Sequence, residues 1–228
     1  MNKIKVIAFD ADDTLWINET FFREAEKEFA KLLSGYETEN KIHQELYKKE
    51  IDNLKIYGYG VKGFVLSMVE CALELSNYKV NQKIIDKILE IGKEMLAQPI
   101  DLLDGVEEVL QKLQGRCKII VATKGDLLDQ EQKLEKSGIL KYFHHTEVMS
   151  DKKPADYLKL IKHLDIQPSE LLMIGNSLKS DVLPLIEIGA AAIHVPFHTT
   201  WAHEQVEGNQ KSTEYQTVSN ITEVLNFL

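Results

Sequence analysis

Three carboxylates follow a short apolar segment near the start of the sequence. Residues 6–9 are apolar, and Asp10, Asp12 and Asp13 come directly after them. A run of this kind predicts a buried strand, and ligands of open α/β sheets bind at the carboxyl ends of the strands. Two like charges about 4 Å apart repel by roughly 4 kcal/mol at an effective dielectric of about 20, so these acids require a cation or a proton between them.

The acidic cluster has two simpler interpretations, an acidic turn and a calcium-binding loop. For an isolated D-x-D pattern, an acidic turn at the end of the strand is the better interpretation. A calcium-binding loop that began at Asp10 would need Gly at its sixth position and Glu at its twelfth, where the chain has Leu15 and Phe21. The sequence therefore excludes a calcium loop, and the choice between turn and site depends on the rest of the chain.

Other polar residues follow strands that are predicted further along the sequence. Thr123 follows the apolar segment 118–122, Asn176 and Asp181 follow the segment 171–175, and Lys153 begins a predicted helix. Each is weak evidence alone, because a Thr after a strand is often a helix cap and Lys-Pro is a common helix start. Polar groups from separate elements at one edge of a parallel sheet, however, are what a phosphate-handling crevice requires.

The predicted elements define the fold class and the domains. Residues 17–98 show only helical periodicity, whereas strands and helices alternate from residue 104 onward and end in a helix over 220–228. This order predicts an α/β fold with a doubly wound parallel sheet, formed by residues 1–16 and 99–228. Residues 17–98 are predicted to be an inserted, all-helical subdomain, since a simple crossover needs only one helix.

With these motifs in place, the chain resembles the haloacid dehalogenase superfamily, in its phosphatase-like branch with a helical cap. The segment from Phe9 to Leu15 matches the first motif, Thr123 the second, Lys153-Pro154 the third and residues 175–181 the fourth, in the family's order. The resemblance covers nearly the whole chain and implies a Rossmann-like core.

The resemblance also implies catalytic roles. Asp10 would be the nucleophile that forms an aspartyl-phosphate. Asp12 would protonate the leaving oxygen and later accept a proton from water. Dehalogenases need no acid at this second position, so Asp12 favours phosphoryl transfer to water, and the substrate would be a small phosphorylated metabolite.

Further roles concern the phosphate and the metal. The implied phosphate-binding groups are Thr123, the backbone N–H groups of Lys124 and Gly125, and the ammonium of Lys153. The implied cofactor is Mg²⁺, held by oxygen ligands. The metal residues are Asp10, Asp12 through its backbone carbonyl, Asp181 and Asn176. The family often has an acid where this chain has Asn176, which would either lower the affinity for Mg²⁺ or hold a metal-bound water through its amide. Asp13 is predicted to hydrogen-bond the turn, and the Lys124 side chain to face solvent or substrate.

Two alternative functions stay open at this stage. A signalling receiver also combines acids, a Thr and a Lys on a parallel sheet, but receivers are shorter and lack a helical insertion. A catalytically silent phospho-ligand-binding protein on the same scaffold is the second, and Asn176 favours it slightly.

Composition limits the partners. The formal net charge of −9, without a cluster of basic residues, argues against nucleic acid. No apolar run is long enough to cross a membrane, and the N-terminus leads directly into the first strand, so a cytoplasmic protein with no membrane contact is expected. Cys71 and Cys117 are predicted to be reduced thiols. The oligomeric state is left open.

Two segments are candidates for substrate or partner contacts. The loop 57–62 is equally well interpreted as a simple interhelical loop or as a substrate contact through Lys62. His194, His198 and His203 are predicted to lie in a surface loop or a dimer contact, with a zinc site as the less favoured alternative.

Overall fold

A computed structural model describes residues 4–206 and 214–228. Its contacts divide the chain into two compact units, whereas the sequence analysis places the boundaries at 16/17 and 98/99. The first unit comprises Met1–Glu19, Ile100–Lys124 and Gln130–Leu228, and the second comprises Thr20–Pro99 and Gly125–Asp129.

The regular elements are as follows. The strands are β1 (Val6–Phe9), β2 (Lys118–Lys124), β3 (His145–Met149), β4 (Leu171–Gly175), β5 (Ala191–His194) and β6 (Gln216–Thr217). The α-helices are α1 (Glu19–Leu32), α2 (Glu39–Tyr57), α3 (Val61–Leu75), α4 (Gln82–Ala97), α5 (Val106–Leu113), α6 (Leu127–Lys136), α7 (Pro154–His163) and α8 (Leu183–Glu187).

The first unit is built on one parallel sheet. Its strand order is β3-β2-β1-β4-β5-β6, and every neighbouring pair is parallel. In the centre, Phe9 is level with Val121 of β2 and Ile174 of β4. The carboxyl ends of β1, β2 and β4 therefore lie at one edge, as expected for a strand order that reverses at β1.

Alternate residues of the central strands pack against opposite layers. Ile7 and Phe9 of β1 join the apolar cluster that contains α5, whereas Val6 and Ala8 join the cluster that contains α7 and α8. Each strand thus buries both faces, which explains its nearly continuous apolar sequence. The predicted doubly wound α/β fold is confirmed.

Three details of the first unit differ from the sequence analysis. The predicted final helix is a 3₁₀ helix over Ile221–Phe227, and β6 was not predicted. The segment Leu178–Val182, which includes most of the fourth motif, forms one wide π-type turn before α8 that the sequence analysis did not predict. Strands of two residues and single turns carry too few residues to show a periodicity, so patterns in the sequence miss them.

The second unit contains helices only among its described elements. Buried Phe29, Leu46, Met68 and Ile88 contribute one apolar side chain each from α1, α2, α3 and α4 to its core. Lys62 of α3 lies beside the 125–129 segment of the same unit, where its Nζ is 2.7 Å from Asp126 Oδ1.

None of the described helices is a candidate for crossing a membrane. Across residues 4–206 and 214–228, no helix combines the length and the apolar character that crossing a bilayer requires.

Candidate active site

A buried lysine joins two buried carboxylates at the carboxyl edge of the sheet. Lys152 Nζ lies 2.5 Å from Asp10 Oδ1 and 2.6 Å from Asp181 Oδ1. Asp10 follows β1, Asp181 lies in the turn after β4, and Lys152 lies between β3 and α7. The sheet thus gathers three groups that are distant in the sequence.

The charges in this group do not cancel. Burial raises the pKa of Asp10 to about 7, and Asp181 adds to the rise while Lys152 opposes it. For Lys152, burial alone would lower the pKa, but Asp10 and Asp181 raise it well above the usual range. Two carboxylates therefore share one ammonium, and the local excess of negative charge favours a further cation.

Lys153, to which the sequence analysis gave the phosphate-facing role, lies outside this group. Its side chain is 72% exposed, and its Nζ is 2.7 Å from Asp151 Oδ2. It is the last residue before α7, and its backbone N–H donates to Asp156 Oδ2 at 3.3 Å. This position directs its side chain to solvent, so the structure contradicts the position predicted for Lys153, and the lysine that lies beside Asp10 and Asp181 is Lys152.

Asn176 and Thr14 border the same group. The Thr14 hydroxyl lies 3.3 Å from Asp10 Oδ2 and 3.2 Å from Asn176 Oδ1. The backbone N–H of Ser177 donates to Asp181 Oδ2 at 2.9 Å. Asn176 is therefore placed near Asp10, where the sequence analysis expected an oxygen donor.

Gly175 allows Asp181 to reach this position. A Cβ added to residue 175 would lie 2.4 Å from Asp181 Cγ, a separation that no real side chain tolerates. The glycine that ends β4 is thus a steric requirement of the site.

Three donors surround the carboxylate of Asp12. Trp16 Nε1 donates to Oδ1 at 2.7 Å, Gln130 Nε2 to Oδ2 at 2.8 Å, and Lys133 Nζ to Oδ1 at 3.1 Å. Lys133 also donates to Asn18 Oδ1 at 2.8 Å. These contacts hold the carboxyl group in one orientation. The sequence analysis missed Gln130 and Lys133, although their spacing of three places them on one face of a helix.

Asp13 has the structural role that the sequence predicts. Its carboxylate accepts the backbone N–H of Asn18 at 2.9 Å and that of Glu19 at 3.0 Å. Burial raises the pKa of Asp13 to about 8. It closes the turn between β1 and α1.

Thr123 and Lys124 end β2 and occupy the same edge of the sheet. Thr123 is buried, and its hydroxyl donates to the Lys124 carbonyl at 3.1 Å. Lys124 Nζ lies 2.5 Å from Glu204 Oε1 and 3.0 Å from Ser180 Oγ, so the ammonium is paired within the protein and does not extend into solvent. Gly125 comes next, at a φ of 133° that favours glycine, and groups with the second unit.

Glu204 is the centre of a polar network that the sequence analysis did not predict. Besides Lys124, its carboxylate accepts the Ser177 hydroxyl at 2.5 Å and the Ser180 hydroxyl at 2.6 Å. Burial would raise the pKa of Glu204, but Lys124 and these hydrogen bonds lower it to about 2. The network ties the ends of β2 and β4 to the 202–204 turn.

Glu204→Gln is expected to lose stability in a pH-dependent way. Because the folded pKa lies below the usual 4.5, the ionised group stabilises the protein above about pH 4.5, and this contribution disappears as the pH falls towards 2. Near neutral pH, the free energy of unfolding of the wild-type protein should exceed that of the variant by roughly 3 kcal/mol. Urea unfolding at about pH 7 and at about pH 3 measures the difference, which should shrink in acid. Glu90→Gln, which removes the exposed partner of Lys87, is the control. An equal difference at both pH values would contradict the prediction.

The three histidines considered for zinc form no group of metal ligands within the described ranges. His194 Nε2 lies 3.0 Å from the Asn176 carbonyl, and the carbonyl of His203 accepts from Lys179 Nζ at 2.6 Å. These two histidines have structural contacts next to the fourth motif.

The sheet, the run of helices after β1 and the Asp–Lys–Asp group define a Rossmann-like α/β enzyme with a helical insertion. Residues 4–189 match the family of haloacid dehalogenase-like hydrolases, and the chain belongs to that family.

Individual proteins support this assignment. A crystal structure of a haloacid dehalogenase-like family hydrolase from Xanthomonas campestris has a TM-score of 0.87 and 37% sequence identity, covering 97% of this chain and 88% of that one. Human N-acylneuraminate-9-phosphatase is 22% identical over 203 residues, 84% of this chain and 82% of that protein. Glyceraldehyde 3-phosphate phosphatase from Methanopyrus kandleri is 22% identical over 200 residues, 84% of each chain.

Proposed function

We propose that the protein is a Mg²⁺-dependent phosphatase that hydrolyses a small phosphorylated metabolite through a phosphorylated Asp10. The observation that carries the proposal is the buried contact of Lys152 with both Asp10 and Asp181, beside Thr14 and Asn176. The phosphatase activities named for two relatives support a phosphate monoester as the substrate.

The donor set fits Mg²⁺. Two buried carboxylates share a single ammonium, and the pKa of Asp10, raised to about 7, would fall if another cation came close. The groups that would hold the ion are the side chains of Asp10 and Asp181 and the backbone carbonyl of Asp12, all hard oxygen donors. Asn176 would contribute its amide oxygen or hold a water. When bound, Mg²⁺ offsets the charge repulsion between Asp10 and an anionic ester.

Asp10 would be the nucleophile. Its carboxylate would form a bond to phosphorus while the bond from phosphorus to the ester oxygen breaks, which splits one difficult displacement into two easier ones. Lys152 would balance the charge on the carboxylate and on the transferring group. Thr123 and the backbone N–H of Lys124 would hold phosphoryl oxygens at the end of β2.

Asp12 would manage the proton in both steps. In the first step it would give a proton to the departing alkoxide, and in the second it would accept one from the attacking water. Trp16, Gln130 and Lys133 keep its carboxyl group oriented. Such positioning matters, because proton transfer requires a distance close to that of a hydrogen bond.

A panel of phosphate esters tests the proposal. We expect the purified protein to hydrolyse sugar phosphates, nucleotides or phospho-acids with Mg²⁺, to lose this activity with a chelator, and to recover it when excess Mg²⁺ is added. Phosphate release is the measurement, and circular dichroism controls for the fold. No turnover across the panel by the folded, Mg²⁺-supplied protein would contradict the phosphatase and favour a silent binding protein.

A further inference from the structure

Three metal-ligating side chains converge between the edge strand β3 and helix α7. His145, Glu147 and His163 bring one ligand atom each within 4.8 Å of the others. His145 Nε2 lies 2.8 Å from Glu147 Oε2, and His163 Nδ1 lies 3.7 Å from the same oxygen. The two imidazole rings are 5.4 Å apart, centre to centre.

The backbone explains why these side chains meet. Residues two apart on a strand share a face, so His145, Glu147 and Met149 of β3 point the same way. Met149 packs in the apolar cluster with Leu160 of α7, and His163 lies one helical turn beyond Leu160. The side chains of His145, Glu147 and His163 therefore lie next to the apolar contact between β3 and α7, at the edge strand of the sheet.

The ligand types favour a borderline metal ion over Mg²⁺. Two imidazoles and one carboxylate form one of the sets that hold zinc and leave a fourth position for water. Mg²⁺ prefers oxygen ligands and binds imidazole weakly. A Zn²⁺ ion here would thus differ in ligand chemistry from the ion proposed at Asp10 and Asp181.

We propose that His145, Glu147 and His163 form a Zn²⁺-binding site that joins β3 to α7. The ion would replace the contacts of Glu147 with the two imidazoles by three metal–ligand bonds. β3 and α7 flank the 150–153 segment that carries Lys152, so bound zinc would also restrain that segment. This site is independent of the proposed phosphatase activity.

Metal titration of the whole protein tests the site. With Mg²⁺ in saturating excess, calorimetry should detect one equivalent of Zn²⁺ per chain, and Zn²⁺ should raise the thermal unfolding temperature. Co²⁺ in place of Zn²⁺ should give visible absorption bands typical of nitrogen and oxygen ligands. His163→Ala and Glu147→Gln should lose the binding. His163 is 65% exposed, so its loss should leave the fold intact.

His43→Ala is the matched control. His43 Nε2 lies 3.7 Å from Glu39 Oε1, the same separation as in the His163–Glu147 pair, but these two residues belong to no group of three ligands among the described residues. Its loss should leave Zn²⁺ binding unchanged. Absence of Zn²⁺ uptake by the wild-type protein, or uptake that survives His163→Ala, would overturn the proposal and leave only a surface ion pair.

Discussion

Asp10→Asn should reduce the turnover of a chromogenic phosphate monoester by about 10⁴-fold or more. The amide has nearly the same shape as the carboxylate but is a poor nucleophile, so the covalent step would be lost. The fold should persist. Burial already disfavours the ionised form of Asp10, whose pKa is raised to about 7, and Lys152 keeps its contact with Asp181. Steady-state kinetics and thermal unfolding, on the same preparation, separate the two effects.

Asp12→Asn provides a comparison for this prediction. This variant should retain the nucleophile but lose the proton donor, so the rate of hydrolysis should fall most for esters with poor leaving groups. An Asp10→Asn variant that hydrolyses the ester at the wild-type rate would refute the nucleophilic role of Asp10.

Lys152→Met should both inactivate and destabilise the protein. It would leave Asp10 and Asp181 buried without their shared ammonium, and breaking a buried ion pair in this way costs about 3–5 kcal/mol. Excess Mg²⁺ should recover part of the stability, because a cation can replace the lost charge between the carboxylates. Lys152→Arg, which keeps the charge, should unfold at a temperature closer to that of the wild type.

Lys153→Met is the matched control, with the same chemical change one residue away. Its ammonium pairs with Asp151 at the surface, where ion pairs contribute little, so activity and unfolding temperature should stay close to wild type. Urea unfolding and phosphate release compare the two variants. The reverse result, with Lys153→Met inactive and Lys152→Met active, would reject the corrected assignment.

The central elements were predictable because their patterns extend over several residues. Strands β1, β2 and β4 bury both faces and therefore read as continuous apolar runs in the sequence. The helices over residues 19–97 show the spacing of three and four that buries one side. In contrast, β6 has only two residues and is too short to produce such a pattern, whereas the final helix was predicted and only its 3₁₀ type was not.

The two adjacent lysines show that the third motif alone does not identify the lysine that lies in the site. Residues 152 and 153 are both Lys before a Pro, and nothing in their composition separates the buried one from the exposed one. The backbone decides, because Lys153, the last residue before α7, directs its side chain outward, while Lys152 points at Asp10 and Asp181.

Contacts between residues that are far apart in the sequence could not be predicted either. Gln130 and Lys133 reach Asp12 across more than one hundred residues, and Glu204 reaches Lys124 across 80. No local periodicity encodes such pairs, since they depend on how the strands are ordered in the sheet and where the connecting segments return.

By itself, the sequence determined the parallel α/β class, the helical insertion and the acidic first motif, since each depends on residues that are close together in the chain. The tertiary structure alone decided which lysine joins Asp10 to Asp181, which groups orient Asp12, and that Lys124 pairs with Glu204. These outcomes depend on side-chain direction and on the meeting of distant segments, and both are set by packing of the folded chain.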